Sequence, residues 1–214
     1  MSCTINAKNL TYKNSIKTIF EDVSFDLSCK EKIAIVGANG SGKSTLLKVL
    51  AGLINPSSGE IFLFHNLVKS KKEFQAYRSK IGYLPQDVST FFLSITVIED
   101  VMFSLRIMGF CKDEAYKKAK EILEKLNILH LENRVIFELS GGEQKIVALA
   151  SILVKNPEIL LLDEPTNALD EESEKNILNI LKSLEISMIV VSHHKSFVNS
   201  LVDKIYTLKN KKLT

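Results

Sequence analysis

The chain has 214 residues, of which 45% are hydrophobic and 25% are charged, so it is long enough for one globular domain with a core. Its net charge of +3 is too small to indicate a nucleic-acid-binding surface. Its apolar runs are far shorter than the ~20 residues of a membrane-spanning helix, so any role at a membrane must come through a partner.

The first part of the chain predicts strands. Alternating apolar residues in INAKNLTY and VSFDL indicate strands with one exposed face, and therefore an antiparallel sheet near an edge. The apolar run KIAIV then leads into a glycine-rich turn, and a helix is predicted from Ser44 to Leu50. EIFLF and KIGYLP predict two further strands.

The middle of the chain, from Asp87 to Val154, is predicted to be helical. One amphipathic helix opens with Asp113 and Glu114 and carries its apolar face on Ala115, Ala119, Ile122, Leu123 and Leu126. A second helix is predicted to begin at Ser140, because Glu143 stands three residues later in the spacing of a capping box.

The last part of the chain alternates strands and helices. EILLLD and SMIVVSH are continuous apolar runs, typical of parallel strands buried on both faces, and a helix from about Glu171 to Leu184 separates them. KIYTLKN is predicted as the last strand. This order predicts an α/β fold with an antiparallel flap before the core and a helical insertion within it. We expect one domain over 1–214, with core and flap at 1–86 and 156–214 and the helical part at 87–155.

A phosphate-binding loop is predicted at GANGSGKST, because this segment follows an apolar strand and opens a helix. Its glycines allow backbone N–H groups to converge on a phosphate chain, and the helix N-terminus favours the same anion. Lys43 would meet the β- and γ-phosphates, and the Ser44 hydroxyl would meet Mg²⁺. The alternative is a plain glycine turn, which the matching flanks argue against. The predicted nucleotide-binding residues are Gly37, Ala38, Asn39, Gly40, Ser41, Gly42, Lys43, Ser44 and Thr45.

An acidic pair, Asp163 and Glu164, ends the buried strand ILLLD. In open α/β sheets ligands bind at the carboxyl ends of strands, so the pair is expected beside the phosphate loop. Asp163 would hold Mg²⁺ through water, and Glu164 would polarise or deprotonate the water that attacks the γ-phosphate. An isolated pair would more often be a helix cap or a turn, and the phosphate loop upstream favours the catalytic interpretation.

Two glycines, Gly141 and Gly142, stand in the first turn of the helix that LSGGEQKIVALAS predicts. The capping box does not explain them, since each glycine weakens a helix by roughly 1 kcal/mol relative to alanine. They indicate that something approaches this backbone closely.

The phosphate loop, the acidic pair and LSGGE together resemble the motifs of the ABC ATPases over nearly the whole chain. The resemblance implies a P-loop NTPase core with an N-terminal antiparallel β subdomain and a helical signature subdomain. It also implies hydrolysis of ATP with Mg²⁺. In that family two domains face each other head to tail. Ser140, Gly141, Gly142 and Glu143 would therefore close over the γ-phosphate held by a second ATPase subunit, identical or related.

The resemblance also assigns roles to single residues. Tyr12 would stack on adenine, with a sheet-edge tyrosine as the alternative. Gln86 in YLPQD would reach Mg²⁺ and sense a membrane partner, with a surface glutamine as the alternative. Asp170 in NALD would touch the opposite subunit, and His193 would contact the γ-phosphate and orient Glu164 and water.

Several positions depart from the family pattern. His194 stands where an acidic residue is usual, and Glu143 replaces the commoner glutamine. Ile146 and Ser151 replace two arginines that are common after the signature. We assign His194 no role, and the capping box accommodates Glu143.

Segments Thr96 to Phe110 and His130 to Ser151 are similar to ATPases of energy-coupling-factor importers for cobalt and nickel, although DVSTFFLS replaces an acidic cluster usual there. We therefore expect the motor of a membrane importer. It would lie at the cytoplasmic face of the membrane through transmembrane subunits and would bind no nucleic acid. The alternatives are a soluble ABC ATPase that uses ATP-driven dimerisation as a switch, and the ATPase of another ABC transporter.

Phe91, Phe92 and Leu93 could receive a helix of the membrane partner or could form the core of the helical part. The sequence does not encode the cargo. Its four histidines and its cysteines, Cys3, Cys29 and Cys111, match no metal-ligand spacing. The cysteines are expected as free thiols, and metal selection is expected to lie in the membrane partners.

Overall fold

The computed structural model describes residues 4–214, which form two compact units. The first unit comprises the chain up to Tyr83, Glu158–Glu164 and Glu185–Thr214, and the second comprises Leu84–Pro157 and Pro165–Leu184. The sequence division placed 165–184 with the core, whereas here this segment groups with the helices. Local packing explains the difference, because the helix in this segment contacts the first turn of the helix that follows LSGGE.

The first unit contains a four-stranded antiparallel sheet in the order β2-β1-β4-β5. Side chains that alternate along β1, such as Ile5 and Ala7, are buried in the core, and β2 forms one edge as the period of its sequence predicts. The strands are β1 (Ile5–Lys13), β2 (Thr18–Leu27), β4 (Ser58–Leu63) and β5 (Asn66–Val68).

A six-stranded sheet completes the first unit, in the order β10-β9-β3-β8-β7-β6. Its strands are β3 (Lys32–Val36), β6 (Ile81–Leu84), β7 (Ile159–Asp163), β8 (Ser187–Val191), β9 (Lys204–Lys209) and β10 (Lys212–Leu213). Strands β3, β8 and β7 are parallel, and Val191 pairs with both Ile35 and Asp163. The carboxyl ends of these three strands therefore lie side by side. Every residue of β7 and β8 is buried, as their apolar runs predict.

The first unit also contains three helices, α1 (Lys43–Leu50), α2 (Lys71–Gln75) and α7 (Lys195–Leu201). The second unit contains α3 (Val97–Ile107), α4 (Lys112–Lys125), α5 (Gly141–Leu153), α6 (Glu171–Ser183) and the 3₁₀ turns Leu129–Leu131 and Ile136–Glu138. No helix among residues 4–214 is long and apolar enough to cross a membrane.

The predicted capping box at the start of α5 is confirmed. Ser140 donates its backbone N–H to the Glu143 carboxylate at 2.8 Å, and its hydroxyl accepts from the Glu143 N–H at 3.3 Å. The predicted face of α4 is also confirmed at Ala115, Ala119 and Leu123, which are fully buried.

A buried carboxylate connects two parts of the second unit. One oxygen of Asp100 accepts from the backbone N–H groups of Leu93 and Ser94, at 2.8 and 3.2 Å. The other oxygen accepts from the hydroxyl of Ser151 on α5, at 2.8 Å. Asp100 and Ser151 are only 5% and 3% exposed. The bonds tie the segment that precedes α3 to α5.

The apolar residues after Gln86 divide between the two roles that the sequence left open. Phe92 is 8% exposed and contacts Phe91 edge to face, so it belongs to the core of the second unit. Leu93 and Ile95, by contrast, are 70% and 67% exposed.

The structure corrects two further expectations. KIYTLKN is not the last strand, because Asn210 and Lys211 adopt left-handed backbone and turn the chain into β10. The expectation of free thiols is met at Cys111, which is exposed. It is wrong at Cys29, which is disulfide-bonded, because pairing depends on distance in the fold and not on sequence spacing. Cys3 lies outside the described residues.

Candidate nucleotide site

The phosphate loop connects β3 to α1. Two of its positions must be glycine, because neighbouring atoms leave no room there for a Cβ atom. At Gly42 a Cβ atom would lie 2.6 Å from Cγ2 of Ile19, and φ is 106°. At Gly37 a Cβ would collide with the carbonyl oxygen of Leu208, and φ is again positive. Gly37 and Gly42 therefore give the loop a backbone conformation that residues other than glycine rarely adopt.

Lys43 lies under this loop and is only 6% exposed. Its Nζ donates to the carbonyl oxygens of Gly37 and Ala38, at 2.9 and 3.0 Å. The Ser41 hydroxyl is buried and has no hydrogen-bond partner within residues 4–214. A buried ammonium group that donates to loop carbonyl oxygens, and a buried hydroxyl in the same loop, fit the oxygens of a phosphate chain.

Ser44 and Asp163, which the sequence predicts to hold Mg²⁺, contact each other. The Ser44 hydroxyl donates to Oδ1 of Asp163 at 3.0 Å, and Asp163 is only 2% exposed. Burial raises the pKa of the Asp163 carboxyl, and the charge of Glu164 raises it further, whereas the Ser44 hydrogen bond lowers it. A hydroxyl and a carboxylate oxygen are the ligand types that Mg²⁺ prefers, so this pair fits the ion.

Glu164 and His193 lie together at the ends of β7 and β8. The Glu164 carboxylate accepts from the His193 backbone N–H at 3.3 Å and lies 2.9 Å from the ring Nδ1. Glu164 has a φ of 48° and donates its own N–H to the Val191 carbonyl at 2.8 Å. Left-handed backbone is strained at a glutamate, and such strain concentrates at functional sites. The arrangement suits a carboxylate that accepts a proton from water.

Tyr12 lies on β1, opposite Phe20 of β2, and its ring is half-buried with the two ring centroids 6.1 Å apart. One part of the ring therefore packs within the unit, while the rest is open to a planar ligand such as a base.

Sequence reasoning missed Tyr83, on β6. Burial raises the pKa of its hydroxyl well above the usual value, and the negative charge of Asp163 adds to this effect. The hydroxyl oxygen is buried without a hydrogen-bond partner within residues 4–214. The order of the strands places β6 beside β7, which carries the acidic pair, and no motif in the sequence indicates this neighbourhood.

The remaining predicted residues lie in the second unit. Gln86 is exposed, and Asp170 caps α6 by accepting from the Ser173 N–H at 2.8 Å, which lowers the pKa of its carboxyl. Sequence reasoning missed Lys145 on α5. This lysine is 5% exposed and donates to the Asn167 carbonyl at 2.8 Å, so it ties α5 to the loop that leads to Asp170.

The two glycines of α5 have different surroundings. A Cβ at Gly142 would lie 2.5 Å from Oγ and 2.9 Å from Cβ of Ser173, so the close approach inferred from the sequence has a partner within the chain. At Gly141 the nearest atom is Cδ2 of Leu169, at 4.0 Å, and the residue is exposed. Of the two glycines, only Gly141 is therefore open to an external ligand.

Comparisons with known proteins agree with this geometry. The family model for the ABC transporter matches residues 20–167. An ABC transporter ATP-binding protein of Haemophilus influenzae is 36% identical over 200 residues, 94% of this chain and 92% of the relative. A relative of the same description in Caldanaerobacter subterraneus subsp. tengcongensis is 41% identical over 214 residues, 97% and 88% of the two chains.

Two solved structures are similar over almost the whole chain. One is cbiO1 of Clostridium perfringens, described as part of the ABC transporter complex cbiONQ, with a TM-score of 0.88 and 30% identity over 100% of this chain and 88% of that one. The other is the dimeric bacterial ABC transporter cassette MJ0796, with a TM-score of 0.87 and 30% identity over 98% and 96% of the two chains. The same cassette is also known bound to ADP and phosphate.

Proposed function

The chain belongs to the ABC transporter family and is an ATPase, and we propose that it is the motor of an energy-coupling-factor importer for nickel or cobalt. The observation that carries this proposal is the likeness to cbiO1, which spans the whole chain. MJ0796 is equally similar in fold, so the importer subgroup rests further on the segments Thr96 to Phe110 and His130 to Ser151.

The catalytic roles that we propose follow from the contacts in the first unit. Lys43 would exchange its two carbonyl partners for phosphate oxygens. Ser44 and Asp163 would hold Mg²⁺, with Gln86 as the further ligand that the family resemblance implies, and the bound ion would neutralise charge on the phosphates. Glu164, oriented by His193, would accept a proton from the attacking water, as its contact at 2.9 Å allows.

A second ATPase subunit completes the proposed site. Ser140 and Gly141 are exposed at the N-terminus of α5, where the helix dipole favours an anion. They would close over the γ-phosphate bound to the partner chain, and Asp170 would contact that chain as well. The partner is an identical or a related ATPase.

Exposed apolar side chains of the second unit support a membrane partner. Leu93, Ile95, Ile107, Met108 and Phe137 are between 45% and 72% exposed, and these are the side chains that a membrane partner would cover. The chain would then lie at the cytoplasmic face of the membrane through its transmembrane subunits. Selection of the cargo would lie in those subunits.

Uptake of ⁶³Ni²⁺ and ⁵⁷Co²⁺ tests the cargo in cells that lack this protein. We expect reduced uptake of at least one ion. Expression of the parent chain should restore it, and the Glu164→Gln chain should not. Normal uptake of both ions in the deletion strain would contradict the proposal that nickel or cobalt is the cargo. Purification of the tagged chain from membranes is the second readout, and recovery without any multi-span protein would favour the soluble switch.

A further inference from the structure

Tyr83 carries a buried group that the proposed mechanism does not use. It lies on β6, the strand next to β7 at the edge of the six-stranded sheet. Its hydroxyl oxygen is shielded from solvent, and no donor or acceptor within residues 4–214 pairs with it.

The hydroxyl lies on the same side of the sheet as the cation site. Ile159, Leu161 and Asp163 alternate along β7 and therefore share one face. Ile159 and Leu161 belong to the hydrophobic core of the first unit, and Tyr83 packs against that same core. Burial is the main cause of the raised pKa of the Tyr83 hydroxyl, and the negative charge of Asp163 adds to it.

A buried hydroxyl without a partner within the protein destabilises the fold, because folding removes it from water without giving it a new hydrogen bond. Phenylalanine would occupy the same space without that cost. A state in which an acceptor reaches the hydroxyl would remove that cost.

We propose that Tyr83 is a positioning residue of the Mg²⁺ site, and that its hydroxyl donates to the Asp163 carboxylate in the MgATP-bound protein. Asp163 Oδ1 accepts from the Ser44 hydroxyl at 3.0 Å. Carboxylates that bind metals usually accept a further hydrogen bond, which fixes their orientation and tunes their affinity for the ion. Tyr83 is placed to supply that bond. This inference rests on the proposed role of Asp163.

The experiment compares Glu164→Gln with Glu164→Gln/Tyr83→Phe, so that hydrolysis does not interfere. Binding of a fluorescent ATP analogue is titrated with Mg²⁺ and, separately, with EDTA. We expect the Tyr83→Phe change to weaken binding about tenfold with Mg²⁺, which corresponds to the loss of one hydrogen bond to a charged group. Binding in EDTA should be unchanged. The melting temperature of the nucleotide-free protein should be unchanged or higher.

Tyr77→Phe in the same background is the matched control. Tyr77 is another half-buried tyrosine of this core, and it stacks on Phe64 with centroids 5.5 Å apart. Its change should not alter the Mg²⁺ dependence.

Three results would overturn the inference. Tyr83→Phe could keep the MgATP affinity of its background, could weaken binding equally with and without Mg²⁺, or could lower the melting temperature of the nucleotide-free protein. Each would leave the proposed ATPase site intact. Absence of any Mg²⁺ effect in Glu164→Gln itself would instead remove both the proposed cation site and this inference.

Discussion

At the scale of single residues, the Lys43 ammonium group donates to two carbonyl groups of the phosphate loop. Lys43→Ala removes a buried charge that phosphate would meet. Each hydrogen bond to a charged group contributes about 1.5–3 kcal/mol, so we expect ATP affinity to fall by about 100-fold or more. Fluorescence titration measures this loss. Lys72→Ala, an exposed lysine of α2, is the control, and equal affinity of the two variants would contradict the loop assignment.

Asp163 gives a prediction on pH. Its carboxyl has a raised pKa in the folded chain, chiefly because of burial, so its ionised form destabilises the nucleotide-free protein at neutral pH. Asp163→Asn should therefore raise the melting temperature at pH 7 and abolish the effect of Mg²⁺ on ATP binding. The gain in stability should shrink as pH falls through the raised pKa towards the ordinary value of 3.8. Thermal unfolding of both chains between pH 7 and 4 measures this gain in stability. A gain that grows as the pH falls would contradict a raised pKa of Asp163.

At the scale of elements, the two glycines of α5 separate folding from dimer formation. Gly142→Ala places a methyl group 2.5 Å from Ser173 Oγ, so we expect a loss of about 1–3 kcal/mol in unfolding free energy. The double variant Gly142→Ala/Ser173→Gly should recover part of that loss. Gly141→Ala has space, so its stability should be unchanged or higher.

The same glycines test the trans contact in the Glu164→Gln chain, which should form dimers when MgATP is added. We expect Gly141→Ala to weaken that dimer without loss of stability, as measured by light scattering with and without MgATP. A Gly141→Ala chain that dimerises like its background would argue against a role for this backbone at the partner's phosphate. A Glu164→Gln chain that stays monomeric would point to a related ATPase as the obligate partner.

Sequence reasoning predicted the long elements and missed the short ones. Strands β7 and β8 were predictable because a strand buried on both faces must be apolar throughout, and α4 because its apolar spacing is helical. Helix α2 has five residues, too few for a periodic pattern. The contacts of Tyr83 and Lys145 depend on residues distant in sequence, and the spacing of motifs does not reveal such contacts.

At the scale of the whole molecule, coupling to a membrane partner should depend on exposed Leu93 and not on buried Phe92, although the sequence offered both. Leu93→Lys should retain the melting temperature and basal ATP hydrolysis and should lose the co-purified membrane partner. Phe92→Lys should instead lower stability, because it buries an unpaired charge in the core of the second unit. Recovery of the partner with Leu93→Lys at parental yield would contradict this surface.

The Asp100 carboxylate makes the segment around Leu93 stiff. Its three hydrogen bonds connect Leu93 and Ser94 to Ser151, and the Asp100 and Ser151 side chains are buried. Separating the segment from α5 would break hydrogen bonds to a buried carboxyl group, which costs free energy. We therefore expect that a displacement of Leu93, for example by a bound partner, would also displace α5.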